Sequence, residues 1–484
     1  MNGPIRKVGL LLIVAFTALL AQLINLQVVQ ASKLNHDPRN TRQAVSDFAR
    51  PRGAIQSADG VVLAQSVPSK DVYRYQRQYP TGSLFAFVTG YQSLLYGTDG
   101  VEYSYGPELA GRDLPLRLNL LDTTPRTANV TVTLTAALQQ VATQALGQRV
   151  GAVIALDPAT GAVLALVSQP TYDPNPLASH STTVERRSWD SLNADIGQPL
   201  LARAFRERYA PGSTFKIITT SSTLDHEPAL AAKNYPVTSS LALPNTTHQL
   251  HNFGGESCGG LLPEIFRVSC DTAFGQMGLD LGGHNLTTEA LSFGFDARPP
   301  LDLPPVAASF FPAEASFLRD QPSLAYSAIG QQDVAATPLQ MALAAAAIAN
   351  HGVIMRPHVM ASITDSDGRL VRTYKPAPWI NATSAQTAAA VTQLMVGVVN
   401  SGTGTGVALP ASSGVQVAAK TGTAEVDPQH TNAWMVAFAP ADNPRIVVAV
   451  VLPGLAGIGN EVTGGVVAAP VVRAVIAAYL GIKL

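Results

Sequence analysis

The chain has 484 residues, more than one hydrophobic core usually serves, so two or three folding units are expected. A net charge of -1 with 13% charged residues gives no basic field for nucleic acid, and neither a charged tail nor an internal repeat stands out. Apolar content of 46% with 39 Gly and 34 Pro fits a globular, turn-rich protein and leaves no segment biased enough to be disordered.

In chain order, the first element is an apolar stretch from Val8 to about Val29, preceded by Arg6 and Lys7 and uncharged until Lys33. About 20 such residues can cross a bilayer as a helix, and positive residues ahead of them stay cytoplasmic, so the bulk of the chain is expected outside. A cleaved signal peptide is the alternative, because Thr17, Gln22, Asn25 and Gln27 dilute the apolar character. The lack of an Ala-x-Ala-like site after the apolar core favours an uncleaved anchor. Residues 37–130 follow as short apolar pieces broken by Gly, Pro and Asp, the pattern of an irregular domain. Two turn-rich clusters lie there: Arg52-Gly53-Ala54-Ile55 with the hairpin signal Asp59-Gly60, and Gly97-Thr98-Asp99-Gly100-Val101-Glu102.

The pattern changes near Thr131. Leu134, Leu138, Val141, Ala142 and Ala145 recur at helical spacing. Two apolar strands, Ala152 to Leu156 and Ala162 to Leu166, are joined by Asp157-Pro158-Ala159-Thr160-Gly161, which reads as a buried hairpin. Thr337 to Asn350 is an Ala-rich helix stopped by His351-Gly352. Val415 to Ala419, Ala433 to Ala439 and Arg445 to Leu452 read as strands, and Pro470 to Tyr479 as a last helix. Strands at both ends with helices inserted between them predict a central antiparallel sheet flanked by helices.

Three short motifs carry chemistry. In Pro211-Gly212-Ser213-Thr214-Phe215-Lys216, a helix opening at Ser213 would bring the Lys216 amine beside the hydroxyl. A serine needs such a base, and a lysine of lowered pKa can serve. The helix start would add backbone amides near a developing oxyanion. Alone, Ser-x-x-Lys is also a common pair on exposed helices. Lys420-Thr421-Gly422-Thr423-Ala424-Glu425 stands at the end of the strand Val415 to Ala419, offering a cation, two hydroxyls for a carboxylate and a glycine for close approach. An exposed turn with a solvated lysine is the bland reading. Ser269-Cys270-Asp271, directly before the apolar run Ala273 to Leu279, reads in isolation as a helix cap. Cys258 and Cys270 are the only cysteines; in an oxidising compartment they form a local staple or stay unlinked as small hydrophobes, and their spacing excludes a zinc site.

The order Ser-x-x-Lys, Ser-x-polar, Lys-Thr-Gly is that of penicillin-binding proteins and class A β-lactamases. From the anchor to the last helix, the chain resembles a class B penicillin-binding protein. Tyr209, Pro211 and Gly212 before the serine, Ile329-Gly330-Gln331 with Thr337-Pro338-Leu339-Gln340, Gly402-Thr403-Gly404, and Trp434 are similarly typical. The clusters at Arg52 and Gly97 resemble elements of that family's pedestal domain, and no glycosyltransferase-like segment precedes them. The resemblance implies an α+β chain: a transmembrane anchor over 1–34, a small mixed pedestal of dimerisation type over 35–145, and a β-lactamase-like transpeptidase domain over 146–484.

It also implies roles. Ser213 would attack a D-Ala-D-Ala peptide bond and Lys216 accept its proton; Ser269, helped by Lys420, would pass that proton to the departing D-Ala. Thr421 and Thr423 would bind the terminal carboxylate, with Gly422 and Asp271 at the substrate, and the amides of Ser213 and Thr423 would form the oxyanion hole. Peptidoglycan stem peptides and β-lactams would be the ligands and a membrane glycosyltransferase of the SEDS type the partner, with neither cofactor nor metal. Asp271 departs from the family's usual Asn, and an ionised Asp only accepts hydrogen bonds. It would pair with Lys216 or Lys420 and raise that lysine's pKa, or be protonated by burial, or stand peripheral. Two rival functions remain on sequence: a hydrolase, as in β-lactamases and D,D-carboxypeptidases, and a silent scaffold or β-lactam sensor. A Cys258 to Cys270 bond would tether the loop carrying Ser269.

Overall fold

The computed structural model describes residues 2–25, 48–112, 126–427, 429–456 and 462–484. The chain divides into two compact units, one of residues 1–51 and 66–76 and one of residues 52–65 and 77–484. In the first, α1 (Asn2–Ile24) contains the span Arg6–Ile24, with mean hydropathy 2.2 and no buried share. That is long and apolar enough to cross a bilayer, and it fits a single-pass anchor. The end of the expected anchor, residues 26–29, lies outside the described residues, as do 35–47 and 113–125 of the expected pedestal.

The second unit holds β1 (Ile55–Gln56), residues 62–65 of β2 (Val62–Pro68), α2 (Gly100–Ser104), β3 (Ala128–Val132), α3 (Ala136–Leu146), β4 (Gly151–Leu156) and β5 (Val163–Gln169). It continues with α4 (Lys216–His226), α5 (Leu262–Val268), α6 (Asp271–Ser292), α7 (Pro338–Ala349), β6 (Met360–Asp365), β7 (Leu370–Thr373) and α8 (Ala385–Ser401). It closes with β8 (Ala418–Asp427), β9 (His430–Ala439), β10 (Ile446–Ala456) and α9 (Ala469–Leu480).

The central sheet has five strands in the order β8-β9-β10-β4-β5, each neighbouring pair antiparallel. Its strands are apolar on both faces because both are covered. Ile154, Trp434, Val436, Val447 and Ala449 face one core, shared with α4, α6 and α7; Val153, Met435, Val448 and Val450 face a second, shared with α3 and α9. This is the alternation of a pleated strand, read out on two buried sides. Between the layers, α7 is buried along its whole length. Thr337 caps it by accepting from the Gln340 amide at 3.1 Å, and Pro338 occupies its first turn, where a missing N–H costs nothing.

A second sheet takes the pieces around β1 in the order β7-β6-β3-β1-β2. Here β6, drawn from far along the chain, pairs antiparallel with β3, Ile363 opposite Val130. Two further contacts join the same regions: Tyr105 Oη donates to Asp302 Oδ2 at 2.5 Å, and Arg372 pairs with Glu108 at 2.7 Å. The cluster at Arg52 and Gly97 also acquires a reason. Glu102, at the end of its turn-rich run, is fully buried and accepts from Arg77 and Arg52, the latter pair at 2.9 Å. Despite burial, the two guanidinium groups hold its pKa below the usual carboxylate value.

One expected boundary differs. The strand carrying Lys420 begins at Ala418, not Val415, and runs to Asp427, so the Lys-Thr-Gly run lies inside a strand and not at its end. The reason is its partner: β9 is hydrogen-bonded to it continuously from Phe438 opposite Ala418 to Thr431 opposite Glu425, which polar residues on the outer half of β8 conceal in the sequence.

Candidate active site

Ser213 lies in a tight 3-10 turn, Gly212–Phe215, that runs directly into α4, so Lys216 is the first residue of that helix. Gly212 takes a positive φ of 52°, open to glycine at little cost, and its amide donates to the Gly330 carbonyl at 2.9 Å. The turn is pressed against β8 at Gly422: a Cβ there would stand 2.8 Å from the Pro211 carbonyl oxygen and 3.1 Å from the Thr214 nitrogen. Gly422 therefore lets the turn that carries Ser213 approach the strand closely.

Ser269 and Asp271 sit where α5 ends and α6 begins. Ser269 adopts the left-handed conformation, φ 63° and ψ 43°, which ends α5 and turns the chain. Cys270 follows, fully buried and joined to Cys258 by a disulfide, with the Cα atoms 5.8 Å apart. Ser269 is thus flanked by a covalent tether.

These segments converge. Lys420 Nζ donates to Ser269 Oγ at 2.8 Å and to the Thr421 carbonyl at 3.1 Å. Lys216 Nζ donates to the Ser269 carbonyl at 2.7 Å, to Ser269 Oγ at 3.3 Å and to Asp271 Oδ1 at 2.7 Å. Ser213 Oγ reaches the same Asp271 oxygen at 3.4 Å. Among the described residues no hydrogen bond joins Ser213 Oγ to Lys216 Nζ directly; Asp271 Oδ1 is their shared partner. Asp271 Oδ2 accepts from the Phe253 amide at 3.2 Å, so both carboxylate oxygens are engaged.

Of the outcomes open for Asp271, the structure takes the ion pair with Lys216, and the carboxylate raises the lysine's pKa as expected, but burial outweighs it. Burial pushes the Lys216 pKa below the usual lysine value, with Asp271 opposing and failing to reverse it. Lys420 is pushed further down, first by burial and then by Lys216, again with Asp271 opposing. Two cations cannot share one buried hydroxyl without each making the other easier to deprotonate. Both lysines therefore give up a proton more readily than exposed ones, which suits the pair to accepting and passing on a proton.

The converging groups open into a cleft of about 1080 Å³ whose lining includes Ser213, Ser269, Asp271, Thr421 and Thr423. Lys216 and Lys420 lie beneath it, fully buried. Alternation along β8 turns Thr421 and Thr423 to the cleft. The Thr421 and Thr403 hydroxyls hydrogen-bond each other at 2.6 Å, which adds Thr403 to the cleft wall. Its place between two glycines was a visible signal. Asn252 was not foreseeable: its Oδ1 accepts from the Thr272 amide at 2.8 Å and its Nδ2 donates to the carbonyls of Thr238 and Glu256, locking the start of α6 to the opposite wall. Trp434, buried in β9, donates from Nε1 to the Ala210 carbonyl at 2.9 Å and steadies the approach to Ser213. No cluster of metal-ligating side chains occurs among the described residues.

Comparison with known proteins gives this arrangement a lineage. Residues 151–477 match the penicillin binding protein transpeptidase domain, and residues 52–126 the penicillin binding protein A dimerisation domain. A relative named peptidoglycan D,D-transpeptidase PbpA, from Mycolicibacterium smegmatis, is 41% identical over 500 residues, covering 99% of each chain. PbpA of Mycobacterium tuberculosis is 40% identical over 504 residues, again covering 99% of each chain. Among solved structures, the ceftriaxone acyl-enzyme complex of penicillin-binding protein A from M. tuberculosis superimposes with a TM-score of 0.83 at 40% identity, over 90% of this chain and 100% of that one. With its Ser-x-x-Lys turn, its Ser-x-Asp corner and its Lys-Thr-Gly strand meeting in one cleft, the chain belongs to the penicillin-binding proteins, in the branch of penicillin-binding protein A.

Proposed function

We propose that this protein is a peptidoglycan D,D-transpeptidase that works through an acyl-enzyme on Ser213. The Ser213 hydroxyl attacks the carbonyl of the D-Ala-D-Ala bond, and Lys216 takes its proton. The peptide C–N bond breaks as Ser269, supplied by Lys420 and Lys216, gives a proton to the departing D-Ala amine. An amine of a second stem peptide then attacks the acyl-serine, forming the cross-link and freeing the hydroxyl. Thr421 and Thr423 receive the substrate's terminal carboxylate, and the amides of Ser213 and Thr423 receive the oxyanion. A β-lactam enters the same way, and its acyl group stays on Ser213.

The observation that carries this reading is the convergence of two buried ammonium groups on Ser269 Oγ, at 2.8 and 3.3 Å, under a cleft lined by Ser213. We further place the anchor in residues 1–34, the pedestal in 35–145 and the catalytic domain in 146–484, with α1 in the cytoplasmic membrane and the rest outside it. A SEDS-type glycosyltransferase is the proposed membrane partner. Fluorescent penicillin tests the chemistry: the full-length protein in detergent should become labelled and release the label slowly, whereas Ser213→Ala should stay dark. Rapid release would mark a hydrolase instead, and an unlabelled wild-type protein would refute the acyl-enzyme.

A further inference from the structure

The two catalytic ammonium groups rest on aromatic rings. Lys216 Nζ lies over the ring of Phe274, 5.2 Å from its centroid, and Lys420 Nζ over the ring of Phe266, 5.6 Å from its centroid. The two rings are themselves neighbours, with centroids 6.2 Å apart and planes inclined by 59°. Both phenylalanines and both lysines are fully buried.

Their placement follows from the corner that presents Ser269. Phe266 stands three residues before Ser269 on α5, and Phe274 three residues after Asp271 on α6. On α6, helical spacing of three brings the Phe274 ring onto the same face as Asp271, while the left-handed Ser269 turns the chain directly after the last turn of α5, which carries Phe266. One turn of chain therefore delivers a hydroxyl and a carboxylate above and two ring faces below.

Lys420 needs such a surface most. Among the described residues it forms no ion pair; its polar partners are Ser269 Oγ and the Thr421 carbonyl. Lys216 has the Asp271 carboxylate in direct contact, whereas Lys420 feels it only at longer range and is repelled by Lys216. A buried ammonium without a carboxylate is stabilised by the negative face of an aromatic ring, and desolvation strengthens that attraction.

We propose that Phe266 and Phe274 form an aromatic floor that holds Lys420 and Lys216 at Ser269 and keeps the proton on the pair, making both phenylalanines positioning residues for acyl transfer. This rests on the reading of the two lysines as the proton-handling pair. The charged groups that act on that pair are Asp271, from α6, on both lysines, and Lys216, from α4, on Lys420. Without the rings, the ammonium forms lose support and the lysines give up protons at lower pH.

The test uses full-length protein in detergent, with a ring-trifluorinated phenylalanine incorporated at position 266 or 274. Fluorination empties the ring face of negative potential and preserves its shape. The rate of acylation by fluorescent penicillin is measured against pH, with Phe266→Leu and Phe274→Leu as second variants. Phe295→Leu, a fully buried ring packed on Phe215 and Phe311, controls for loosening of the core. The floor predicts that the rising limb moves to lower pH by roughly half to one unit at each site, and that Phe295→Leu leaves its midpoint in place. Profiles that lose height with an unmoved midpoint would overturn the proposal. NMR titration of isotope-labelled lysine side chains in the same proteins reads the proton directly, so failure of the acyl-transfer reading and failure of the floor are told apart.

Discussion

Replacing Asp271 with Asn removes one negative charge while nearly preserving the side chain's shape, and its effect can be worked out from the contacts. The carboxylate touches Lys216 Nζ at 2.7 Å with one oxygen and the Phe253 amide at 3.2 Å with the other. An amide has one acceptor to divide between these two donors. If its oxygen faces Phe253, its NH₂ faces Lys216, which can accept a hydrogen bond only as the neutral amine. If its oxygen faces Lys216, two donors collide at Phe253. Both the lost charge and the favoured rotamer push Lys216 toward the unprotonated base. An adjacent opposite charge typically moves a pKa by about 1–3 units, and each unit is tenfold in the fraction of free base while the pKa lies above ambient pH. Asp271→Asn should therefore accelerate acylation at pH 7.5 by roughly tenfold or more and move the rising limb of the pH profile down by about 1–3 units. Stopped-flow acylation by a fluorescent penicillin between pH 5 and 10 is the assay. An equal or slower rate with an unmoved limb would refute the argument and make the carboxylate itself an obligatory carrier between Ser213 and Lys216.

Two other perturbations follow from the same contacts. Gly422→Ala would press a methyl group against the Pro211 carbonyl at 2.8 Å, displacing the turn that carries Ser213; since misplacement by about 1 Å can cost a hundredfold, acylation should fall by about that factor, with a stability loss of about 1–3 kcal/mol in denaturant titration. Glu289, on α6, is buried with Oε1 lacking a hydrogen-bond partner, and burial with the nearby Asp225 charge raises its pKa from 4.5 to about 8. The folded state thus keeps a proton that the unfolded state releases, so this contribution is complete below pH 4.5 and is lost as pH rises through about 8, by roughly 1.4 kcal/mol per unit between them. Glu289→Gln should flatten that decline in chemical denaturation at pH 5 to 8, and an unchanged slope would exclude Glu289 as its source.

Much of the catalytic centre was legible because its groups lie in short runs whose internal spacing is fixed by local geometry. Ser213 and Lys216 are tied by one helical turn, Ser269 and Asp271 by one corner, and Lys420 to Thr423 by one strand. What joins the runs was not legible. That Asp271 meets Lys216, that the Phe253 amide holds its second oxygen, and that Gly422 is filled by the nucleophile turn all depend on packing between segments more than 15 residues apart. The helix from Thr337 was clear since its cap and stop are local, and the hairpin of β4 and β5 because a turn sequence joins its strands. The extent of β8 was misjudged because Thr, Gly and Glu look like loop until β9 supplies the partner. Likewise, nothing near β6 announces β3 as its neighbour.

That neighbour relation governs how the molecule can be taken apart. Cutting ahead of Leu146 would split α3, deprive β6 of the strand opposite Ile363 and strip Arg372 of Glu108, leaving a raw edge open to pairing with another molecule. A version begun at Arg52 retains every one of these partners, and with them the guanidinium that neutralises Glu102. The early segment is thus less a stand beneath the enzyme than a strand that completes one of its sheets.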